Sequence, residues 1–575
     1  MGPPDTNVSE LSRNLAHNGR AGHGSVEGMM ISVSNWRVPA TGITPPAGAV
    51  ARLLLTALTL LALLLAAPAR AESFAFRLAV AEAAAGDPAL TAFYRERDYR
   101  ALWTRPQEGE RRAALLAALE AAPSHGLPAG LYRAEELRAA LAALASERDR
   151  GRLEVRLSKV FLDYAEDVGT GLIDPASADD GIVREVLRRD RLATLRAFAA
   201  AEPVSYLRAL PPQMPQYMQL RRARLDLEQV IAAGGWGPAI AAGKLELGDS
   251  GAAVVALRDR LFRMGYLGRT ATRVYDGEIM KAVQRFQKDN GLTPDGVAGA
   301  GTIAELNRSP RDRLKSVLVA LERLRWMNGI ELGERHIWVN LPDFTAKVID
   351  GGKVTFETVT VVGMNQHDRR SPEFSDMMEH MVINPTWNVP RSITVKEYLP
   401  MLQKDPNAVR HLKIVDRRGR VVDRSQTDFT QFTARNFPFS ISQPPSDDNA
   451  LGLVKFMFPN RWNIYLHDTP AKSLFGREVR AFSHGCIRLE RPFDLAYVLL
   501  ARQTDDPRGT FQRYLATGRE TVVPLEKPVP VHLVYFTAWP DARGHVEYRR
   551  DVYGRDARIF AALEAIGLAL PDVQG

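Results

Sequence analysis

The sequence contains a single cysteine in 575 residues, Cys486. No intramolecular disulfide can form, and zinc sites built on paired cysteines are excluded with it. No Lys/Arg run interleaved with aromatic residues occurs, so the chain shows none of the footprint of a nucleic-acid binder. Its 75 Lys and Arg against 67 Asp and Glu leave a net charge of only +8, mild over this length and by itself no argument for a polyanionic partner. Also missing is an unbroken apolar stretch of the ~20 residues that a bilayer span requires.

What stands in its place is a 15-residue uncharged run over 53–67. Arg52 precedes it, and Pro68-Ala69-Arg70-Ala71 supplies an Ala-x-Ala junction before Glu72. A charged flank, a short apolar stretch and a small-residue junction make the pattern of a secretory signal peptide. The expectation is export to the periplasm, with 1–71 an N-terminal extension plus signal peptide. If uncleaved, the same run would act as an anchor. The polar region ahead of it is long for such a leader, and Met29 or Met30 is a candidate start.

A 45% hydrophobic and 25% charged composition is ordinary for globular proteins, and the length leaves room for several domains. Residues 72–240 are rich in Ala, Leu, Arg and Glu with apolar positions at helical spacing, clearest over 111–122, 134–145 and 153–168. A proline-rich break at 210–215 precedes a further helix over 217–233. This reads as a helical scaffold without evident chemistry. A compact unit follows over 244–308. Val254, Leu257, Leu261 and Phe262 form one expected apolar face, Val283, Phe286 and Leu292 another, with Gly265 and Gly291 placed as helix C-caps.

Beyond a helical linker over 309–335 the pattern turns to strands at 336–340, 346–349 and 354–362, with a hairpin turn at Asp350-Gly351-Gly352. Further strands are expected at 382–384, 463–466 and 529–535. The region 336–520 is therefore β-rich, and 521–575 completes it. A partly helical, partly polar segment at about 391–443 reads as an insertion acting as a mobile cap. The fold class is multidomain α+β.

The chemistry gathers at Ser483-His484-Gly485-Cys486-Ile487-Arg488-Leu489. A lone Cys ordinarily reads as a small buried hydrophobe. Here it follows a glycine in a turn-like, polar and basic setting instead. A free thiol is only a few per cent thiolate at neutral pH, so a nucleophilic Cys needs a base or a positive neighbour. His467 stands 19 residues upstream at the end of an expected strand, able to take the thiol proton and hold the thiolate as an ion pair. His484 is the rival base, more naturally a shaper of the turn. The Gly485 and Cys486 amides are candidates for an oxyanion hole.

These residues, the preceding Tyr465-Leu466-His467-Asp468-Thr469-Pro470 and the block Asn449 to Asn460 resemble the catalytic signature of L,D-transpeptidases with a YkuD-type domain. The order of helical scaffold, peptidoglycan-binding-like module, catalytic domain and cap resembles the long YcbB-type members. The unit 244–308 is similar to the three-helix peptidoglycan-binding module through Ala282 to Gln287 and Asp295-Gly296. Phe93-Tyr94, Trp103, the stretch Ile383 to Pro390 and Tyr553-Gly554-Arg555-Asp556 extend the likeness.

The resemblance implies Cys486 as nucleophile and His467 as general base, with Tyr465, Ser483, His484, Gly485 and Arg488 around the reacting carbonyl. It implies a thioester with a tetrapeptide stem, loss of D-Ala, and transfer to the amine of a second stem to give a 3→3 cross-link. Neither metal nor cofactor is required, because a thioester remains activated by itself. Asp468 stands where shorter members often carry Gly, and a turn-making role suits it better than orienting His467. A cysteine L,D-carboxypeptidase, an amidase acting on the same peptides, or a non-catalytic wall-binding protein are the alternative readings. N-terminal sequencing of the exported protein is expected to begin at Glu72-Ser73-Phe74. Recovery only in membranes with 53–67 attached would favour the anchor.

Overall fold

The structure is a computed structural model and describes residues 72–571; the expected leader at 53–67 and its junction lie outside them. Among the described residues no helix is long and apolar enough to cross a membrane. The N-terminal helical region is organised by the helix Glu147–Thr170. Its Ser146 cap accepts from the Asp149 N–H, and Leu153, Leu157, Phe161, Tyr164 and Val168 form a buried stripe at helical spacing. Glu154, fully buried beneath it, accepts from the amides of Leu102 and Thr104 at 2.6 and 3.0 Å and from the Tyr94 hydroxyl at 3.0 Å. Several donors on one carboxylate offset its burial without a cation. Phe93, Tyr94 and Trp103 all lie in this core.

The segment expected as a linker is instead a central element. The helix Pro310–Trp326 buries Leu314, Val317, Leu318, Leu321 and Leu324, and packs against the helices Pro215–Ala232 and Arg555–Ala565. It is buried on most of its circumference, and several of its charged residues are paired inside. Arg325 meets Glu322 at 2.5 Å and Arg313 meets Glu305 at 2.9 Å. The module between them closes on Val254, Leu257, Leu261, Val283, Phe286 and Leu292. Phe262 does not join this core: it is 44% exposed, because it sits about 100° around the helix from Leu261. Gly265 and Gly291 follow helix ends with φ of 83° and 65°, the left-handed geometry of a helix stop.

The β-rich region begins with β1 (Arg335–Asn340), β2 (Thr345–Asp350), β3 (Lys353–Gly363) and β4 (Phe374–Ile383). The insertion carries β5 (Trp387–Asn388), β6 (Lys413–Val415) and β7 (Ser440–Gln443). Then come β8 (Val454–Met457), β9 (Leu466–His467), β10 (Ala481–Ser483), β11 (Ile487–Leu489) and β12 (Thr521–Val534). The main sheet runs β10-β3-β11-β9-β8-β4-β12-β1-β2, and β2 pairs back onto β3. That closure joins all strands but β10 into a ring, leaving the short β10 at the edge beside β3. β12 lies between β4 and β1, parallel to β1 with Ile337 opposite Val531. The expected strand at 463–466 is shorter and later, since Asn463 takes a left-handed φ of 53° and pairing starts only at Leu466. β5, β7 and β6 form a separate small sheet over its own core of Leu399, Leu402, Val409, Ile414, Phe429 and Ile441.

A buried ionic cluster joins the helical region to the sheet. Glu373, at the foot of β4, accepts from Arg323 at 2.5 Å and Arg555 at 3.2 Å. Arg555 also reaches Asp179 at 3.2 Å, and Arg323 reaches Asp556 at 3.1 Å. The backbone follows: Val183 N–H donates to the Glu373 carbonyl, and Glu373 N–H to that of Gly181, both at 2.8 Å. Removing one partner of such a cluster strands buried charge. Glu373→Ala is expected to lower unfolding free energy in urea by about 3–5 kcal/mol, whereas Glu490→Gln, at an exposed site, should change it by less than about 0.5 kcal/mol.

Candidate active site

Strand register builds the site. In the parallel pair β9–β11, Ile487 lies opposite Leu466 and Arg488 opposite His467. Side chains alternate across a strand, so Tyr465 and His467 share a face with Cys486 and Arg488. Leu466, Ile487 and Leu489 point the other way into the core. On the far side of β9, β8 places Lys455 opposite His467.

Cys486 is half-buried at the mouth of β11. Its thiol donates to the Asn463 carbonyl at 3.4 Å and receives a hydrogen bond from the Tyr465 hydroxyl. No hydrogen bond joins Cys486 to His467 among the described residues, contrary to the expected direct contact. The cause is the register, which sets Tyr465 beside the thiol and His467 one step further along. The His467 ring is held by its own neighbour's backbone, with Nδ1 against the Asp468 carbonyl. The Asp468 carboxylate turns away to the Leu453 amide at 2.9 Å and Lys472 at 2.5 Å. Asp468 thus orients the imidazole through its main chain, while its side chain ties the turn.

The turn before the thiol depends on Gly485, whose φ of 118° L side chains rarely adopt. Ser483 staples it: its hydroxyl accepts from the Gly485 N–H at 3.1 Å and donates to the Cys486 carbonyl at 2.5 Å. Two expectations change. The Gly485 amide is already engaged and is no free oxyanion donor, which leaves the Cys486 amide. Ser483, only 2% exposed, borders the cavity and spends its hydroxyl on holding the turn. Sequence reading missed Ser371, which donates to the Gly485 carbonyl at 2.6 Å and accepts from the Gly363 N–H at 2.9 Å. Tyr553 supports the same point by donating to the Gly363 carbonyl at 2.6 Å. Nothing local in the sequence marks Ser371, because its partner is 114 residues away.

His484 points to the cap. Its Nε2 meets Glu397 at 2.7 Å, and Arg369 meets the same carboxylate at 2.8 Å. Lys396 pairs with Asp368 at 2.6 Å beside them. Cap residues Trp387, Ile393 and Tyr398 close one side of a cavity of about 730 Å³, with Cys486, His467, Tyr465, Lys455 and Arg488 on the other. Among the described residues no cluster of three or more His, Cys, Asp or Glu side chains could hold a metal ion.

Comparison with known proteins fits this arrangement. Residues 334–519 match the family model of the L,D-transpeptidase catalytic domain, residues 88–223 that of a scaffold domain, and residues 250–306 that of a provisional peptidoglycan-binding domain. The region 334–519, which holds Cys486 and His467, is thus similar to YkuD-type L,D-transpeptidase catalytic domains. A Haemophilus influenzae protein provisionally named as an L,D-transpeptidase is 31% identical over 301 residues, which are 52% of this chain and 59% of that relative. The chain therefore spans less than two thirds of that protein's length. Crystal structures of L,D-transpeptidases from Stackebrandtia nassauensis and Xylanimonas cellulosilytica are 16% and 14% identical. Each covers 52% of this chain, and the matches take in 96% and 100% of those chains at TM-scores of 0.20 and 0.15.

Burial holds both Cys486 and His467 uncharged. Burial pushes the Cys486 thiol up to about 11, against the lowering effect of the Tyr465 hydrogen bonds and of Arg488 and Lys455. Burial likewise pushes His467 down to about 3, and Arg488 adds to this; the Asp468 and Leu451 carbonyls oppose it. At neutral pH the site is thiol plus imidazole rather than the expected ion pair. His467 also links stability to pH. Its folded pKa lies below the unfolded value of about 6.5, so the unfolded state binds the extra proton and stability falls as pH drops from about 6.5 towards 3. The rate of Cys486 alkylation by neutral iodoacetamide is expected to climb through pH 9 towards a midpoint near 11. A plateau already reached at pH 7 would show a preformed thiolate and contradict this electrostatic reading.

Proposed function

We propose that the protein is an exported L,D-transpeptidase that makes 3→3 peptidoglycan cross-links through a thioester on Cys486. The observation that carries this reading is the placement of the chain's sole cysteine. It lies at a glycine turn in a half-enclosed cavity, on one sheet face with His467 and Tyr465 and beneath a separately folded cap. In the reaction proposed, the Cys486 side chain rotates away from the Asn463 carbonyl and passes its proton to His467. Hydrogen bonds of this kind are often long or misaligned before substrate binds. The sulfur attacks the carbonyl after the L-centre of the diamino acid in a tetrapeptide stem. Negative charge developing on that oxygen faces the Cys486 amide, with Tyr465 a second donor once its hydroxyl leaves the sulfur.

As the C–N bond breaks, the imidazolium returns the proton to the leaving D-Ala nitrogen. The acyl group stays on sulfur until the amine of a second stem attacks; His467 takes that amine's proton, the C–S bond breaks as the new amide forms, and the imidazolium returns the proton to the Cys486 sulfur. The thioester is activated by itself, so the step draws on no cofactor. Burial that keeps His467 neutral suits a general base, since an imidazole already protonated could accept nothing. The cap favours transfer over hydrolysis by excluding water, and Glu397 holds it down on His484 and Arg369. Residues 244–308 are proposed to keep the enzyme on its wall substrate in the periplasm.

The test is incubation of purified protein with tetrapeptide muropeptides, with products read by mass. Wild type is expected to yield dimers lacking one D-Ala, and Cys486→Ala none. Glu397→Gln, which weakens the cap's hold, should raise the share of hydrolysed tripeptide several-fold. Tripeptide as the sole wild-type product would make the protein a carboxypeptidase, and binding without any product would make it a wall-binding protein.

A further inference from the structure

Two cations flank the reactive pair without an anion of their own. Lys455 on β8 and Arg488 on β11 both lie opposite His467, one on each side, and both line the cavity. Each is half-buried. Neither makes an ion pair among the described residues, and the Arg488 Nε is shut off from solvent with no hydrogen-bond partner. The Lys455 ammonium lies 5.9 Å from the Tyr465 ring centre, and the acid in its electrostatic range is Glu520, whose carboxylate takes the Thr386 amide. The carboxylates of the cavity are already occupied, Glu397 by Arg369 and His484, and Asp368 by Lys396. Burial lowers both cations from their ordinary values.

Holding cations in a recess without partners is unfavourable, and sites that do so are candidates for a function. Stabilising the thiolate does not account for them well. The thiol remains strongly raised in their presence, and their effect on it ranks behind burial and the Tyr465 hydrogen bonds. A guanidinium that lines the cavity without an ion-pair partner can meet the two oxygens of a carboxylate through its planar N–H groups. We propose that Lys455 and Arg488 form a carboxylate subsite that grips an anionic group of the donor stem next to the scissile carbonyl. This deepens the transpeptidase reading and rests on it for the identity of the donor. A tetrapeptide offers two such groups: the terminal carboxylate of the leaving residue and the side-chain carboxylate of the diamino acid.

Four synthetic tetrapeptides, with each carboxylate free or amidated in every combination, would be titrated calorimetrically against the full chain carrying Cys486→Ala. Turnover by the wild-type chain would be followed in parallel. Amidation of one carboxylate is expected to weaken binding about 10- to 100-fold, the range for a charge-assisted pair, and to act mainly on KM. The sensitive position names the source of the group. In Lys455→Met and Arg488→Met, the acid-to-amide ratio should fall to within about 2-fold, while the pH midpoint of Cys486 alkylation moves little. Indifference of the unsubstituted pair to both amidations would overturn the subsite. So would variants that keep full discrimination, or a large rise in the alkylation midpoint with equal loss on all four donors. Because the binding arm needs no turnover, an inactive wild type would count against the transpeptidase reading and leave the subsite to be judged on affinity alone.

Discussion

The arrangement of the turn that carries Cys486 depends on the buried charge cluster around Glu373. Its carboxylate lies between Arg323 of the central helix and Arg555 near the C-terminus, while Asp179 and Asp556 complete the balance. From there the connection runs directly to the turn before Cys486. Arg555 donates to the Ser371 carbonyl at 3.1 Å, and the Ser371 hydroxyl donates to the Gly485 carbonyl. Buried ions need close, complete pairing, so segments 179, 323, 373 and 555 can pack together in few other ways. The position of Cys486 is thus set by residues drawn from most of the chain's length.

That dependence explains why the catalytic domain is not a self-contained block. β12 closes the barrel from beyond the matched catalytic segment, and the helix Arg555–Ala565 buries its apolar face against the central helix Pro310–Trp326. The scaffold makes backbone hydrogen bonds to β4 through Gly181 and Val183. A helix expected to be a connector proves to be the surface on which the helical region and the C-terminal segment meet.

At the site, dielectric dominates local charge. Arg488, Lys455 and the Tyr465 hydroxyl all favour a thiolate, yet burial outweighs them and the proton stays on sulfur. The same burial keeps His467 neutral. In the reaction proposed, charge separation is deferred until a substrate fills the cavity, when its carbonyl can take up the negative charge. A sulfur that rests protonated under a cap is protected from adventitious oxidation, since thiolate character governs that reactivity.

Much of this was legible in the residues alone. Helical periodicity marked the scaffold, β-branched runs marked β1 to β3, and the Gly485-Cys486 pair marked a turn at the thiol, because these are local signals carried by adjacent positions. The tertiary structure decided what local patterns cannot encode. It brought Ser371 to Gly485, Lys455 to the far side of His467 and Glu397 to His484. It also tied the Ser483 hydroxyl into the turn and left Phe262 on the surface. Each of those outcomes depends on strand register or on burial. Register is set by pairing between distant segments, and burial by which surfaces meet, so neither is a property of any short stretch of the chain.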